Sequence, residues 1–302
     1  ADPAFPSDQK AGSVLVFPYY TSTSNGITSD TLLQITNVCN GPSASAGIPN
    51  YSYLHLFFMN GANCSPADTF VCLTPNGSIQ ILASVYDPGI TGYLIAVAVN
   101  ESGVPTQNNC FIGSAFVRND DNKIIGSYGA EAFVKNASGT ASVNANGTAT
   151  INLDGIDYDA APVQFSVQVQ DPARADEWVI LASISGDLGA KLESTSQDGV
   201  GILYREDEVS ASFQPQIGGG CWSQTSLDKT KIRIVPGSFD TFLNFSSGYL
   251  KFRVSVPAVG LLVSKQGSSG TPLNRWSGIR TLHKTDFGTA QLIAPIFPPY
   301  CI

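Results

Sequence analysis

The residues able to do chemistry are few. The chain holds two histidines, His55 and His283. A Ser-His-Asp relay would need one of them, and the Gly-x-Ser-x-Gly turn that often presents such a serine is absent. His55 stands within Leu54-His55-Leu56-Phe57-Phe58, the setting of a strand residue, and His283 within Thr281-Leu282-His283-Lys284, the setting of a surface strand. Carboxylates gather at Asp154, Asp157 and Asp159 and again at Glu206-Asp207-Glu208. The first group could converge on Ca2+, although it lacks the EF-hand spacing and a solvated turn is the simpler reading. The second reads as a charged strand edge that deters mispairing. Paired acids for glycoside cleavage leave no local signature, so sequence neither finds nor removes them. Gly218-Gly219-Gly220-Cys221-Trp222 lacks the lysine of a phosphate loop and suggests close backbone approach beside a disulfide. Tyr19, Tyr20, Trp222 and Trp276 are aromatic side chains that could stack on a sugar, set against their commoner role in a core. No constellation names a reaction, and the chain reads as a non-enzyme without a firm cofactor.

Six cysteines, Cys39, Cys64, Cys72, Cys110, Cys221 and Cys301, show no Cys-x-x-Cys spacing and no histidine partners. An even count without metal or redox spacing favours disulfides and an oxidising compartment. The short loop between Cys64 and Cys72 suggests that pair, and keeping each half self-contained suggests Cys39–Cys110 and Cys221–Cys301. Seven Asn-x-Ser/Thr sequons, at Asn50, Asn63, Asn76, Asn100, Asn136, Asn146 and Asn244, would be usable only outside the cell. Hydrophobic residues make up 43% of the chain and charged residues 13%, about half the usual charged share, so it is globular and not disordered. With 16 basic residues spread thinly and a net charge of −8, it offers neither a phosphate-binding stripe nor a membrane patch. Nucleic acid is not an expected partner. Apolar runs such as Tyr93 to Val99 fall far short of the ~18 residues that span a bilayer. The start at Ala1 suits an exported chain whose signal peptide has been removed, or a cloning remnant at Ala1-Asp2-Pro3.

The elements that must position these residues are strands. Thr31–Val38, Tyr51–Met59, Ser78–Val85, Tyr93–Val99, Cys110–Arg118, Val163–Gln170, Glu177–Ile184, Gly201–Arg205, Glu208–Phe213, Lys231–Val235, Tyr249–Val256 and Val259–Ser264 are β-branched, aromatic or alternating, and Gly, Pro or Asn bounds many of them. No run of useful length has a helical period, beyond one turn after Asp171-Pro172. The expectation is an all-β protein, an antiparallel β-sandwich of immunoglobulin-like or jelly-roll-like type, with two β domains or one elaborated sandwich. The small polar stretch from Asn136 to Ala149 reads narrowly as a linker, with a hairpin at Asn146-Gly147 as the alternative. That divides the chain into an N-terminal extension at 1–20, a β-sandwich at 21–135 and a second β-rich domain at 136–302.

The stretch Gly12-Ser13-Val14-Leu15-Val16-Phe17-Pro18-Tyr19-Tyr20 reads as a strand buried on both faces. Pro18 lacks an N–H, which should end the strand or hold it at an edge. Together with Leu54 to Gly61 and the Cys64-to-Cys72 segment, this opening resembles a group of uncharacterised secreted bacterial proteins over roughly the first 135 residues. The resemblance implies export and brings no known activity. An apolar strand near the amino end, in a chain without catalytic motifs, suggests a secreted filament or surface-layer subunit that polymerises by strand exchange. Its polymer interface would be Val14, Leu15, Val16, Phe17, Tyr19 and Tyr20, and its partner a second copy. The alternatives are a carbohydrate-binding surface module or adhesin, and an unrecognised glycoside hydrolase.

Overall fold

The computed structural model describes residues 5–22, 28–39, 51–136, 142–172, 175–214, 217–227, 239–265 and 277–301. Strand takes 62% and helix 4%, so the all-β class holds. The expected strand at Lys231–Val235, and with it Trp276 and Asn50, lies outside the described residues.

The strands form five sheets. A central sheet runs in the order Pro66–Leu73, Ser52–Asn60, Thr91–Val99, Val14–Thr21, Glu131–Phe133. An outer sheet runs Ser78–Leu82, Ser29–Asn37, Phe111–Asn119, Ile124–Gly129. A tail sheet is built around Thr148–Leu153 and Ala290–Pro295, and holds the one parallel pairing among the described residues, Gly186–Asp187 on Ala290–Pro295. A sheet that carries a groove, called here the groove sheet, runs Ser210–Phe213, Thr195–Arg205, Ser247–Val254, Ala161–Gln170, His283–Gly288. A bridging sheet runs Trp222–Ser226, Asp176–Ser183, Ala258–Lys265, Gly278–Thr281.

Five sheets replace the two layers of the expected sandwich, which is the blade number of a five-bladed β-propeller. The chain does not lay its strands down blade by blade as a repeat propeller does, but crosses repeatedly between the central and outer sheets. The physical difference from a sandwich is that inner sheets are covered twice. Leu15 and Phe17 pack with Leu33, Ile35, Ala115 and Val117 of the outer sheet, while Val14 and Val16 pack with Ile151, Leu153 and Leu292 of the tail sheet. The bridging sheet likewise sends Val179, Leu181 and Leu262 toward the groove sheet, and Ile180, Leu261 and Val263 toward the central one.

Among the described residues no sheet mixes strands from the two sides of residue 136, yet core packing between sheets and two disulfides join them. The hairpin alternative, not the linker, holds beyond residue 141: Asn144 N–H donates to Thr148 O, and Gly147 takes a φ of 78°. Cys39–Cys110 forms as expected, but the other bonds are Cys64–Cys221 and Cys72–Cys301. Cys64 cannot meet Cys72 because the intervening residues run up the extended strand Pro66–Leu73. At ~3.3 Å per residue that separates them by roughly 20 Å, against the ~5.5 Å a disulfide spans.

The expected donor strand is also corrected. Val14–Thr21 is no separate extension: it pairs antiparallel with Thr91–Val99 on one side and Glu131–Phe133 on the other, and all eight of its residues are buried. Val14, Leu15, Val16, Phe17, Tyr19 and Tyr20 therefore present no polymer interface. Pro18 does not end the strand, but it does fall where the strand is locally an edge, paired on one side only. Its register shifts between Phe17 and Tyr20, and Glu131–Phe133 pairs only with Val14 to Val16. Beyond that point side chains replace the missing neighbour. The Tyr128 hydroxyl accepts from Tyr19 N at 3.1 Å and donates to Tyr19 O, and Trp222 Nε1 donates to Pro18 O at 2.9 Å.

Tyr128→Phe would remove one hydroxyl and leave two buried backbone groups unpaired. It is expected to lower stability by about 2 kcal/mol or more, read as a fall in the urea midpoint at unchanged slope.

Candidate functional site: the open face of the groove sheet

The groove sheet buries one face and opens the other. Phe165, Val167 and Val169, Leu203, and Leu250, Phe252 and Val254 face the core. With a side-chain period of two, Gln168, Ile202 and Tyr204, and Tyr249, Lys251 and Arg253 must face outward, with Ser166 on the same face but fully buried. Register then sets them in rows across the strands. One row is Ser210, Tyr204, Tyr249 and Gln168; the next is Ser212, Ile202, Lys251, Ser166 and His283.

Tyr204 and Tyr249 are the centre of this face. Their ring centroids lie 6.3 Å apart with planes inclined at 47°, and their exposures are 37% and 42%. A groove of about 570 Å³ runs over them, walled by Gln168, His283, Arg280 and Thr281 and ending at Arg205 and Glu206. Arg280 Nη2 donates to Glu177 Oε1 at 2.8 Å, and the Glu177 carboxylate, 2% exposed, also accepts from Gln170 N and Ser264 Oγ. Burial pushes the Glu177 carboxyl above its ordinary range, opposed by the Gln170 amide and Arg280. At the other end Glu206 Oε1 accepts from Ser247 N and its hydroxyl. The groove thus combines two aromatic faces, an amide, an imidazole and an anchored guanidinium. Among its lining residues Glu206 is the one carboxylate, so this groove does not offer the acid pair of a glycoside hydrolase.

The residues singled out from sequence lie elsewhere. Tyr19 and Tyr20 are buried, and Trp222 is packed on Gly61 and stacked 6.1 Å from Tyr19. Tyr19 and Tyr20 are closed to a sugar, and the half-buried Trp222 ring is occupied by these contacts. Asp154, Asp157 and Asp159 do not converge: Asp154 Oδ1 accepts from Ile156 N and Asp157 N, Asp157 Oδ2 from Asn152 Nδ2, and Asp159 turns inward to Lys10. No group of three acidic, cysteine or histidine residues able to hold a metal occurs among the described residues. Glu206 to Glu208 forms the hairpin turn between Thr195–Arg205 and Ser210–Phe213, with Glu208 at a φ of 67°. Gly218 does permit the expected close approach, since a Cβ there would meet Thr195 O at 2.5 Å. Asn63, Asn76, Asn100, Asn146 and Asn244 are exposed and Asn136 is half-buried.

His283 borders the groove, whereas His55 is 1% exposed and held between the Phe57 and Phe70 rings at 4.0 and 4.1 Å. Its Nε2–H donates to Asp68 Oδ2 at 2.8 Å, and no described serine bonds its other nitrogen to complete a relay. Tyr204, Tyr249, Gln168 and Arg280 were not found from sequence. The available signal was the alternation Tyr249-Leu250-Lys251-Phe252-Arg253-Val254, which marks an outward polar and aromatic face.

No family model matches the chain, and no curated relative does. Among solved structures, a chain in the crystal structure of the T13 IBDV viral particle is 12% identical, matched over 98% of this chain and 72% of that one, with a TM-score of 0.18. A likeness at that score supports no statement about fold or function.

Burial holds the His55 imidazole below its ordinary value, against the pull of Asp68 in the other direction. The unfolded chain therefore binds a proton near pH ~6.5 that the folded chain refuses, so this contribution to stability is present above that pH and is lost as pH falls. His55→Phe keeps the ring stack and is expected to remove that part of the pH dependence, read by comparing denaturation midpoints at about pH 5 and about pH 7.

Proposed function

We propose that the chain is an exported, non-catalytic binding module that holds an extended saccharide across the open face of the groove sheet. One observation carries this reading: two exposed tyrosines, paired in register on adjacent strands, floor a groove whose walls are hydrogen-bonding side chains. Sugar rings offer apolar C–H faces and polar rims, which such a surface matches by stacking and by hydrogen bonding. Three disulfides are compatible with an oxidising, extracellular setting, and no described helix is long and apolar enough to cross a membrane.

A second reading, a subunit of an extracellular assembly, moves from strand exchange to another surface. The outward face of the outer sheet aligns Leu82, Leu32 and Phe116 across three strands, with Phe116 49% exposed and Ile125 nearby at 59%. An exposed apolar row of this kind is suited to packing against a second copy.

Tyr204→Ala and Tyr249→Ala are each expected to weaken polysaccharide binding roughly fivefold, a loss of about 1 kcal/mol, with an unchanged circular dichroism spectrum. Affinity electrophoresis of the full chain through gels containing soluble polysaccharides reads this directly. The proposal fails if no polysaccharide retards the unaltered protein. Sedimentation velocity separates the second reading: concentration-dependent association that Phe116→Glu abolishes supports the assembly, and a monomer at all concentrations removes it.

A further inference from the structure

The segment ahead of the first strand is held at several points, among them a bridge from Gly12 to Phe111 and a bond from Thr281 to Asp8. Ser7 makes a two-bond bridge to Ala132, and Lys10 reaches across to Asp159, 149 residues away. Lys10 Nζ lies 2.6 Å from Asp159 Oδ2 and also donates to Phe5 O. The Asp159 side chain is fully buried. Its Oδ2 accepts a second bond, from Val134 N at 2.6 Å, while its Oδ1 is buried with no hydrogen-bond partner.

A carboxylate with one oxygen used twice and the other orphaned in a dry site is a costly arrangement, since a buried acceptor without a partner forfeits its hydration. The surroundings are dry on the neighbouring strand too. Glu131 is 1% exposed and gripped by Lys284 Nζ at 2.5 and 2.6 Å, and burial pushes its carboxyl toward the neutral form.

We propose that Lys10 and Asp159 are joined by an isopeptide bond that forms unaided in the folded chain. A proton passes from the Lys10 ammonium to Asp159 Oδ1, and the neutral amine attacks Asp159 Cγ. The N–C bond forms and the C–Oδ1 bond breaks. Oδ1 leaves as water, taking the proton it received and one more from the nitrogen. Nothing is oxidised or reduced, and no co-reactant is needed. The product uses every contact already in place. The amide N–H donates to Phe5 O, the remaining Oδ2 accepts from Val134 N–H, and the orphaned oxygen is gone. The bond closes the chain between residues 10 and 159, so the N-terminal segment stays tied even where reduction opens the disulfides.

Intact mass spectrometry of the full chain after disulfide reduction tests this. The expected mass is lighter than the sequence by one water, with fragment spectra that join the Lys10 peptide to the Asp159 peptide. Lys10→Arg keeps the positive charge and the ion pair but supplies no amine. It should restore the full mass and slow the reduced, denatured chain on a gel. A reduced wild-type chain at full sequence mass overturns the proposal. So does a water loss that persists in Lys10→Arg, as from a succinimide at Asp154-Gly155.

Discussion

The structure depends on burying one strand completely. Val14–Thr21 carries eight consecutive buried residues, which a strand can do only if sheets cover both of its faces. Burying each large apolar side chain is worth roughly 1.5–3 kcal/mol, so this one strand anchors a large part of the fold's driving force. It also fixes register, because a slip by one residue would exchange Phe17 for Val16 at the outer sheet. Space there is already matched: a Cβ on Gly113 would lie 2.4 Å from Phe17 Cζ. The tail sheet exists to cover the opposite face, which is why residues far apart in the chain, Ile151 and Leu292, meet at Val14 and Val16.

Complete burial raises a second problem, since a strand in the interior must satisfy its backbone there. Proline at position 18 breaks the ladder, and the chain answers with side chains from distant segments, Tyr128 and Trp222. Trp222 follows Cys221, whose disulfide to Cys64 fixes it against the turn at Gly61. The covalent bond and the indole hydrogen bond therefore act on one joint between the two halves. Without Tyr128 and Trp222, the buried Tyr19 and Pro18 would leave polar backbone atoms without side-chain partners.

What sequence revealed follows from how local each signal is. Strands with one buried face, such as Ser29–Asn37 and Ala161–Gln170, alternate visibly and were read nearly to their ends. The all-β class and the covered nature of Val14–Tyr20 were legible for the same reason. Which surface covered that strand was not, because its partners sit about 75 and 115 residues downstream and nothing local marks them. The cysteine pairs misled through contour length: neighbours in sequence are far apart when a strand runs between them. Tyr204 and Tyr249 were missed because their meeting is a fact of register, not of spacing along the chain.

The open face owes its fixed shape to the same alternation that built the core. In His283–Gly288, His283 turns to the groove and the next residue, Lys284, turns inward to Glu131 of the central sheet. Three residues before His283, Arg280 is held by Glu177, a buried carboxylate that also accepts from the Gln170 amide next to the Gln168 row. This stretch of the lining is thereby tied to two ion pairs whose acidic members are nearly inaccessible to water, where screening is weak. Side chains held in place before a ligand arrives lose little freedom when it binds, so a shallow face with modest contacts can still be selective. The constraint that buries the first strand and the rigidity of the groove are in this sense one property: each follows from sheet faces packed on a core by residues that could not move without exposing it.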